Sequence, residues 1–238
     1  MTTENPMQAN ESSFIQVSVR EARMAVERIL LTCELPKGYV AAVRECVLLS
    51  QSLGLGGFAA IGQAHATLAR PDLSRMGAAE PAAGMTDFDG GGLHAWLVLP
   101  TAMDLAVAQA RHDGRSELRV RNVGEPGELR VAEALAARHG CTAQVTDDAG
   151  ATLVTVTNGP RPHGMAQWDP LLKHAMDHGW RFDRAHWRDI YALSNKALAP
   201  DSVLSRRHAG PVLVDAQGRV VGRTPIDDET DLRTLTNV

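Results

Sequence analysis

The chain has 238 residues, a formal net charge of −4 and an apolar fraction of 44%, enough to bury one sizeable core or two close ones. A mildly acidic chain with 4% aromatic residues has neither the basic face nor the stacking rings that nucleic acid or an anionic membrane calls for. No apolar run approaches the ~20 residues of a membrane span, and the polar opening lacks the basic and apolar regions of a signal peptide, so a cytoplasmic protein is expected.

Residues 1–13 read as a flexible tail. Ser18, with Glu21 three positions on, predicts a capping box, and the helix Val19–Cys33 sets Ala22, Val26, Ile29 and Leu30 on one face. Pro36 and Gly38 turn the chain into a second helix over Tyr39–Leu53, whose Val40, Val43, Val47 and Leu48 complete an antiparallel pair. The Leu53–Phe58 stretch, LGLGGF, breaks the pattern before a third helix over Ala59–Ala69. Gly54, Gly56 and Gly57 could turn backbone amides toward an anion; the plainer alternative is a tight turn packed on the sheet. The same two readings apply to Gly90, Gly91 and Gly92. Neither cluster meets a Walker A or a G-x-G-x-x-G pattern. Pro71–Gly84, rich in Ala, Gly and Pro, reads as a connector.

Leu93–Leu99 is an apolar run that suits a buried strand or the start of a buried helix. Pro100 is expected to end it. Thr101 would then cap a helix, with Asp104 as the capping-box acid and Gly114 as the left-handed C′ residue. Glu117–Asn122 alternates as a half-buried strand, and a Gly-bearing loop leads to an Ala-rich helix over Glu128–His139. Cys141–Thr146 and Ala151–Thr157 read as a hairpin turned at Asp147–Gly150. Beyond Pro162, helices are expected over Gln167–Trp180 and Phe182–Leu198, then short strands over Val212–Asp215 and Arg219–Gly222, then an acidic end at Asp227–Asp231. The fold class is α/β: a helical N-terminal part (14–84), then a mixed sheet with flanking helices (85–162), then C-terminal helices and short strands (163–238).

Cys33, Cys46 and Cys141 are widely spaced and form no Cys-x-x-Cys, so no zinc knuckle or redox pair is indicated. His174 and His178 stand at i, i+4, a metal-holding spacing that His163 or His186 could complete. The alternative is a solvated helix face, and no metal is assigned. Ser202, Ser205, Arg206, Arg207 and His208 crowd one loop before Gly210; hydroxyls beside arginine suit a carboxylate or phosphate, with surface capping as the alternative.

The stretch AMDLAVAQARHDGRSELRVRN, the Gly-bearing loop, the Ala-rich helix and the strand VTVTNGPRP resemble the malate/L-lactate dehydrogenase family. That is the nicotinamide-dependent group unrelated to the Rossmann 2-hydroxy-acid dehydrogenases. The helical opening from Val17 is similar to that family's, so the likeness covers about Val17–Pro162. The family's opening helices lead to an Asp-Ser-His-Gly stretch with a catalytic histidine, where this chain has LGLGGF. Its loop after Arg-Asn holds another histidine, where this chain has Glu125. Without an imidazole at these points, hydride transfer to a keto acid lacks its usual proton donor. The segment ALAPDSVLSRRHAGPVLVD also resembles a bacterial family of unassigned function, a shortened offshoot of the same scaffold.

The first expectation is a small-molecule enzyme acting on a carboxylate in a pocket between the helical opening and the α/β part, with Ser205, Arg206 and Asn122 to hold it and Glu125 or His208 to move protons. The resemblance implies NAD(P), although a chain shorter than the family usually is leaves the cofactor unknown, and a homodimer or a subunit of a small complex. Two other expectations stand beside the enzyme: a non-catalytic partner subunit that kept the fold and lost the chemistry, and a metal-dependent hydrolase or lyase built on His174 and His178.

Overall fold

A computed structural model describes residues 13–82, 85–160, 162–198, 212–217 and 220–223. The chain forms two compact units, Met1–Ala197 and Leu198–Val238. In the second, β8 (Val212–Val214) pairs antiparallel with β9 (Val220–Arg223). The loop holding Ser205, Arg206 and His208, the opening tail and the acidic end lie outside the described residues.

The first unit opens with β1 (Phe14–Val17) and three helices: α1 (Val19–Thr32), α2 (Lys37–Ser52) and α3 (Gly57–Leu68). The Ser18 capping box forms as the spacing predicts, with the Glu21 backbone donating to Ser18 Oγ and the Ser18 backbone to Glu21 Oε2. Ala22, Ala25, Val26, Ile29 and Leu30 of α1 are buried, as are Val40, Val43, Cys46 and Val47 of α2. These faces close the helical pair.

The stretch expected to be a connector is not one. It holds a short 3-10 turn, Leu73–Arg75, and then β2 (Gly77–Ala82), which pairs antiparallel with β3 (Met85–His94) from Gly77↔Asp89. An edge strand tolerates Pro81 and small residues because only one of its sides is paired. Next come α4 (Ala95–Asp113), β4 (Arg115–Gly124), a 3-10 turn (Pro126–Arg130), α5 (Val131–Arg138), β5 (Cys141–Asp148) and β6 (Ala151–Asn158). The sheet runs β2-β3-β4-β6-β5. Only β3 and β4 are parallel, joined through α4; every other pair is antiparallel. This is the α/β class with a mixed sheet that the sequence predicts.

α4 is the hub. Ala95–Leu99 are all buried, followed by Ala102, Met103, Ala106, Val107 and Ala110, and the helix packs on β3, β4 and β6 as well as on α2 and α5. The apolar run is therefore the helix start, and Pro100 does not end it: it lies inside the helix. The first turns of the helix, Ala95–Leu99, are buried on every side, and that burial outweighs the bond and the clash that an internal proline costs. The expected Thr101 cap is likewise overturned, because its hydroxyl bonds the Tyr39 hydroxyl and the N-cap is His94. Gly114 ends α4 in the left-handed region at φ 83°, as predicted.

Past the sheet, the first expected helix is broken into α6 (Met165–Trp168) and α7 (Pro170–His178), because Asp169 caps α7 and Pro170 is its first residue. Trp180 belongs to β7 (Trp180–Asp183), which pairs with β1, and α8 follows over Arg184–Asn195. Phe58 meets Trp180, Phe182 and Trp187 edge-on at 6.0, 5.1 and 6.1 Å between ring centres, tying α3 to this region. Tyr191 and Leu198 are exposed. No described helix is long and apolar enough to cross a membrane.

Candidate functional site

The Leu53–Phe58 turn is a structural joint. The N–H groups of Gly56, Gly57 and Phe58 donate to Glu128 Oε1, Ser50 Oγ and Gln51 Oε1 at 2.8, 2.8 and 3.0 Å. Glu128 is 7% exposed, and its other oxygen accepts Trp96 Nε1 at 2.8 Å. A carboxylate at the start of α3 suits the helix dipole. The space is also full: a Cβ on Gly56 would meet Glu128 Oε1 at 2.7 Å, and one on Gly57 would meet the Gln51 Cα at 2.7 Å. Nothing here is left to receive an anion, so the tight-turn reading describes this cluster.

The second glycine cluster lies at the end of β3. A Cβ on Gly90 would stand 2.5 Å from Val123 Cγ2, and one on Gly91, at φ +62°, would stand 2.6 Å from the Arg75 carbonyl oxygen. These glycines let the Leu73–Arg75 turn and β4 close onto the strand. The Gly91 N–H donates to Asp89 Oδ1, which also accepts the Asn122 amide; together they hold the Asp89 carboxyl below the usual carboxylate range.

The strands β3 and β4 end side by side, with His94 opposite Gly124. Open α/β sheets place ligands outside the carboxyl ends of their parallel strands, and here a cleft of ≈ 540 Å³ lies at those ends, lined among others by Gln63, Arg70, Arg75, Gly92, His94 and Glu125. Arg70 is paired with Glu34 at 2.5 Å. Arg75 sets Nη2 3.2 Å from the point a Gly92 Cβ would occupy and makes no ion pair with a described carboxylate. Glu125 is exposed and held at φ 54°, and Asn122 shares that φ. Two such residues, one near the end of β4 and one just after it, are a strained arrangement of the kind that collects at functional sites.

His94 is the residue that sequence reasoning missed. It is 4% exposed, accepts the Trp96 N–H at Nδ1 over 3.1 Å, and has no described partner for its buried Nε2. Burial pushes its pKa down, while the Glu128 and Glu125 carboxylates pull the other way. In the sequence it disappears into an apolar run; the available signal was a lone imidazole two residues after a glycine triad.

Of the sequence-predicted residues, Glu125 lines the cleft, whereas Asn122 bonds Asp89 and lines a neighbouring hollow with Pro126 and Asp147. Ser205, Arg206 and His208 fall outside the described residues. His174 and His178 stack at 4.4 Å on an exposed face of α7, beside the Lys173–Asp177 ion pair. No group of three or more described His, Cys, Asp or Glu side chains could hold a metal. For a nicotinamide dinucleotide, the Leu53–Phe58 turn does not fit as a pyrophosphate cradle, since the Gly56, Gly57 and Phe58 amides are already bonded, and in the second cluster the Gly91 amide is likewise taken.

The fold defined by this sheet and its central helix is dehydrogenase-like, and the relationship is distant and divergent. The sequence matches no family model and no curated protein. Among solved structures, a dehydrogenase from Sinorhizobium meliloti is similar over 76% of this chain and 100% of its own, at 12% identity and a TM-score of 0.58. Malate dehydrogenase from Pyrococcus horikoshii OT3 matches 63% of this chain and 49% of its own, so this chain spans about half of that enzyme, at 14% identity and a TM-score of 0.48. Malate dehydrogenase from Entamoeba histolytica matches 81% of this chain and 71% of its own, at 13% identity and a TM-score of 0.45. Likeness at such identity is likeness of fold.

Proposed function

We propose that this chain is a divergent small-molecule metabolic enzyme that takes a carboxylate substrate in the cleft at the ends of β3 and β4, without the family's usual histidines. The observation that carries this reading is the cleft itself, where an orphaned imidazole, an arginine and a strained glutamate line one cavity. Arg75 offers the fork for a carboxylate, and Glu125 moves the proton. No hydride step is part of this reading.

Deuterium exchange at the methyl group of pyruvate, a minimal 2-oxo acid, tests it without any cofactor. The chain is expected to bind pyruvate saturably in calorimetry and to speed the exchange, and Glu125→Gln is expected to slow it about 100-fold or more, as loss of a proton-moving group does. Absence of both binding and exchange would remove the reading. A change in NADH fluorescence on mixing would restore an oxidoreductase version.

A second reading is a partner subunit without activity of its own. It is favoured by a groove of ≈ 700 Å³ along α1 that includes the exposed apolar Met24, Leu31 and Met176, since exposed apolar patches mark interaction surfaces. A stoichiometric partner on copurification, with an isolated chain inert toward pyruvate, would decide for it.

A further inference from the structure

We infer that His94 is a neutral N–H donor, not a proton carrier, and that its Nε2–H holds an oxygen of the substrate bound in the cleft. The inference rests on the carboxylate reading of that cleft and adds a residue and a role to it.

The tautomer comes first. Nδ1 accepts the Trp96 N–H at 3.1 Å, so the lone pair is on Nδ1 and the ring proton of neutral His94 is on Nε2. The same bond makes His94 the N-cap of α4, whose N-terminal dipole opposes a positive ring. Burial works in the same direction, since the residue is 4% exposed. The charged groups around it are Glu128 from the 3-10 turn and Glu125 from the loop after β4, with Arg75 and Arg70 also lining the cleft. The carboxylates favour the imidazolium; burial and the helix end outweigh them.

The result is a buried N–H without a described acceptor. Buried polar groups are nearly always bonded, and one left unpaired costs as much as a lost hydrogen bond. This one belongs to a residue lining the cavity, at the end of the parallel strand pair where ligands gather. With the carboxylate on Arg75, the carbonyl oxygen of a 2-oxo acid gives it a partner, and a carboxylate without that oxygen leaves it unpaired. His94 is therefore also a specificity device, favouring pyruvate over an analogue with no carbonyl oxygen.

The test uses ring-nitrogen NMR of the histidine-labelled full chain, pyruvate as the probe, and two variants. Without ligand, His94 is expected to show the Nε2–H neutral tautomer and to gain its second proton only below the ordinary histidine midpoint of ~6.5. With pyruvate its Nε2 resonance should move saturably. His94→Asn keeps a side-chain oxygen for the Trp96 N–H, and asparagine is among the best N-caps. It should fold with an unchanged circular dichroism spectrum and weaken pyruvate about 10- to 100-fold, while propionate, which lacks the carbonyl, changes less than threefold. His94→Gln gives the same comparison if the asparagine variant does not fold. An Nδ1–H tautomer, or titration near 6.5, overturns the inference whatever binds. Pyruvate binding with His94 unmoved and His94→Asn unaffected overturns it while leaving the cleft reading standing. Failure of pyruvate to bind at all removes both.

Discussion

Two glycine-rich turns, Leu53–Phe58 and Gly90–His94, look interchangeable in the sequence as places where backbone amides could meet an anion. The structure separates them by polar satisfaction. At the first turn the three amides and the buried Glu128 carboxylate are matched to one another, to Ser50, to Gln51 and to Trp96. At the second the glycines allow close packing, but a buried imidazole nitrogen beside the cleft has no described partner, and the neighbouring end of β4 and the residue after it hold Asn122 and Glu125 at φ 54°. Composition measures how freely a turn can bend; only the partners show whether it is finished. A turn whose groups are all bonded holds the fold together, whereas one with a bond left to make is where a ligand belongs.

This contrast can be broken by mutation, with the largest effect expected at the finished turn. Glu128→Ala leaves the Gly56 N–H and Trp96 Nε1–H without acceptors. With bonds to a charged group worth about 1.5–3 kcal/mol each, the loss should be roughly 3–5 kcal/mol, a fall in Tm on the order of 10 °C for a chain of this size. Thermal unfolding followed by circular dichroism checks it, and a fall under 2 °C would deny that this carboxylate locks the turn. Gly57→Ala, at φ +47° and 2.7 Å from the Gln51 backbone, should cost about 2 kcal/mol in urea unfolding. Glycine→alanine at Gly38, with open space around it, should cost none of that strain.

A third prediction concerns pH. Burial raises the Glu45 pKa, but Arg23, Arg138 and Arg44 together outweigh it and hold the carboxyl below its usual range. A carboxyl depressed in the fold contributes stability that is fully present above its unfolded pKa of ~4.3 and is lost as pH falls through the lower folded value. Wild-type stability should therefore fall below about pH 4 more steeply than that of Glu45→Gln, whose curve starts lower at pH 7 and is flatter. The smallest effect on stability is expected at the open turn. Glu125→Gly releases a left-handed side chain, worth about 1 kcal/mol, against the added freedom of glycine in the unfolded chain. Its stability should change by less than about 1 kcal/mol while exchange of pyruvate protons is lost.

What could be read from the sequence was what short-range chemistry decides. Ser18 and Glu21 cap their helix because both partners lie within one turn, Gly114 stops α4 because only the local backbone matters there, and the β5–β6 hairpin carries its own turn. The errors share the opposite cause. Pro100 is a local stop signal overridden by burial of Ala95–Leu99 on every side, and Gly77–Ala82 has no strand pattern of its own, becoming a strand through pairing with β3. The Glu128–Gly56 bond spans 72 positions and leaves no local trace. At the candidate site, Glu125 was found because a resemblance pointed to its loop. His94 was passed over because an imidazole inside an apolar run looks like one more buried residue until its unpaired nitrogen is seen.

The most direct measurement is a pyruvate titration followed by backbone amide NMR of the full chain. The account predicts saturable shifts at Gly92, His94, Gly124 and Glu125, around the cleft, with Gly56, Gly57 and Phe58 unmoved because their amides are already bonded. Shifts centred on Gly56–Phe58, or no saturable shift anywhere, would contradict it.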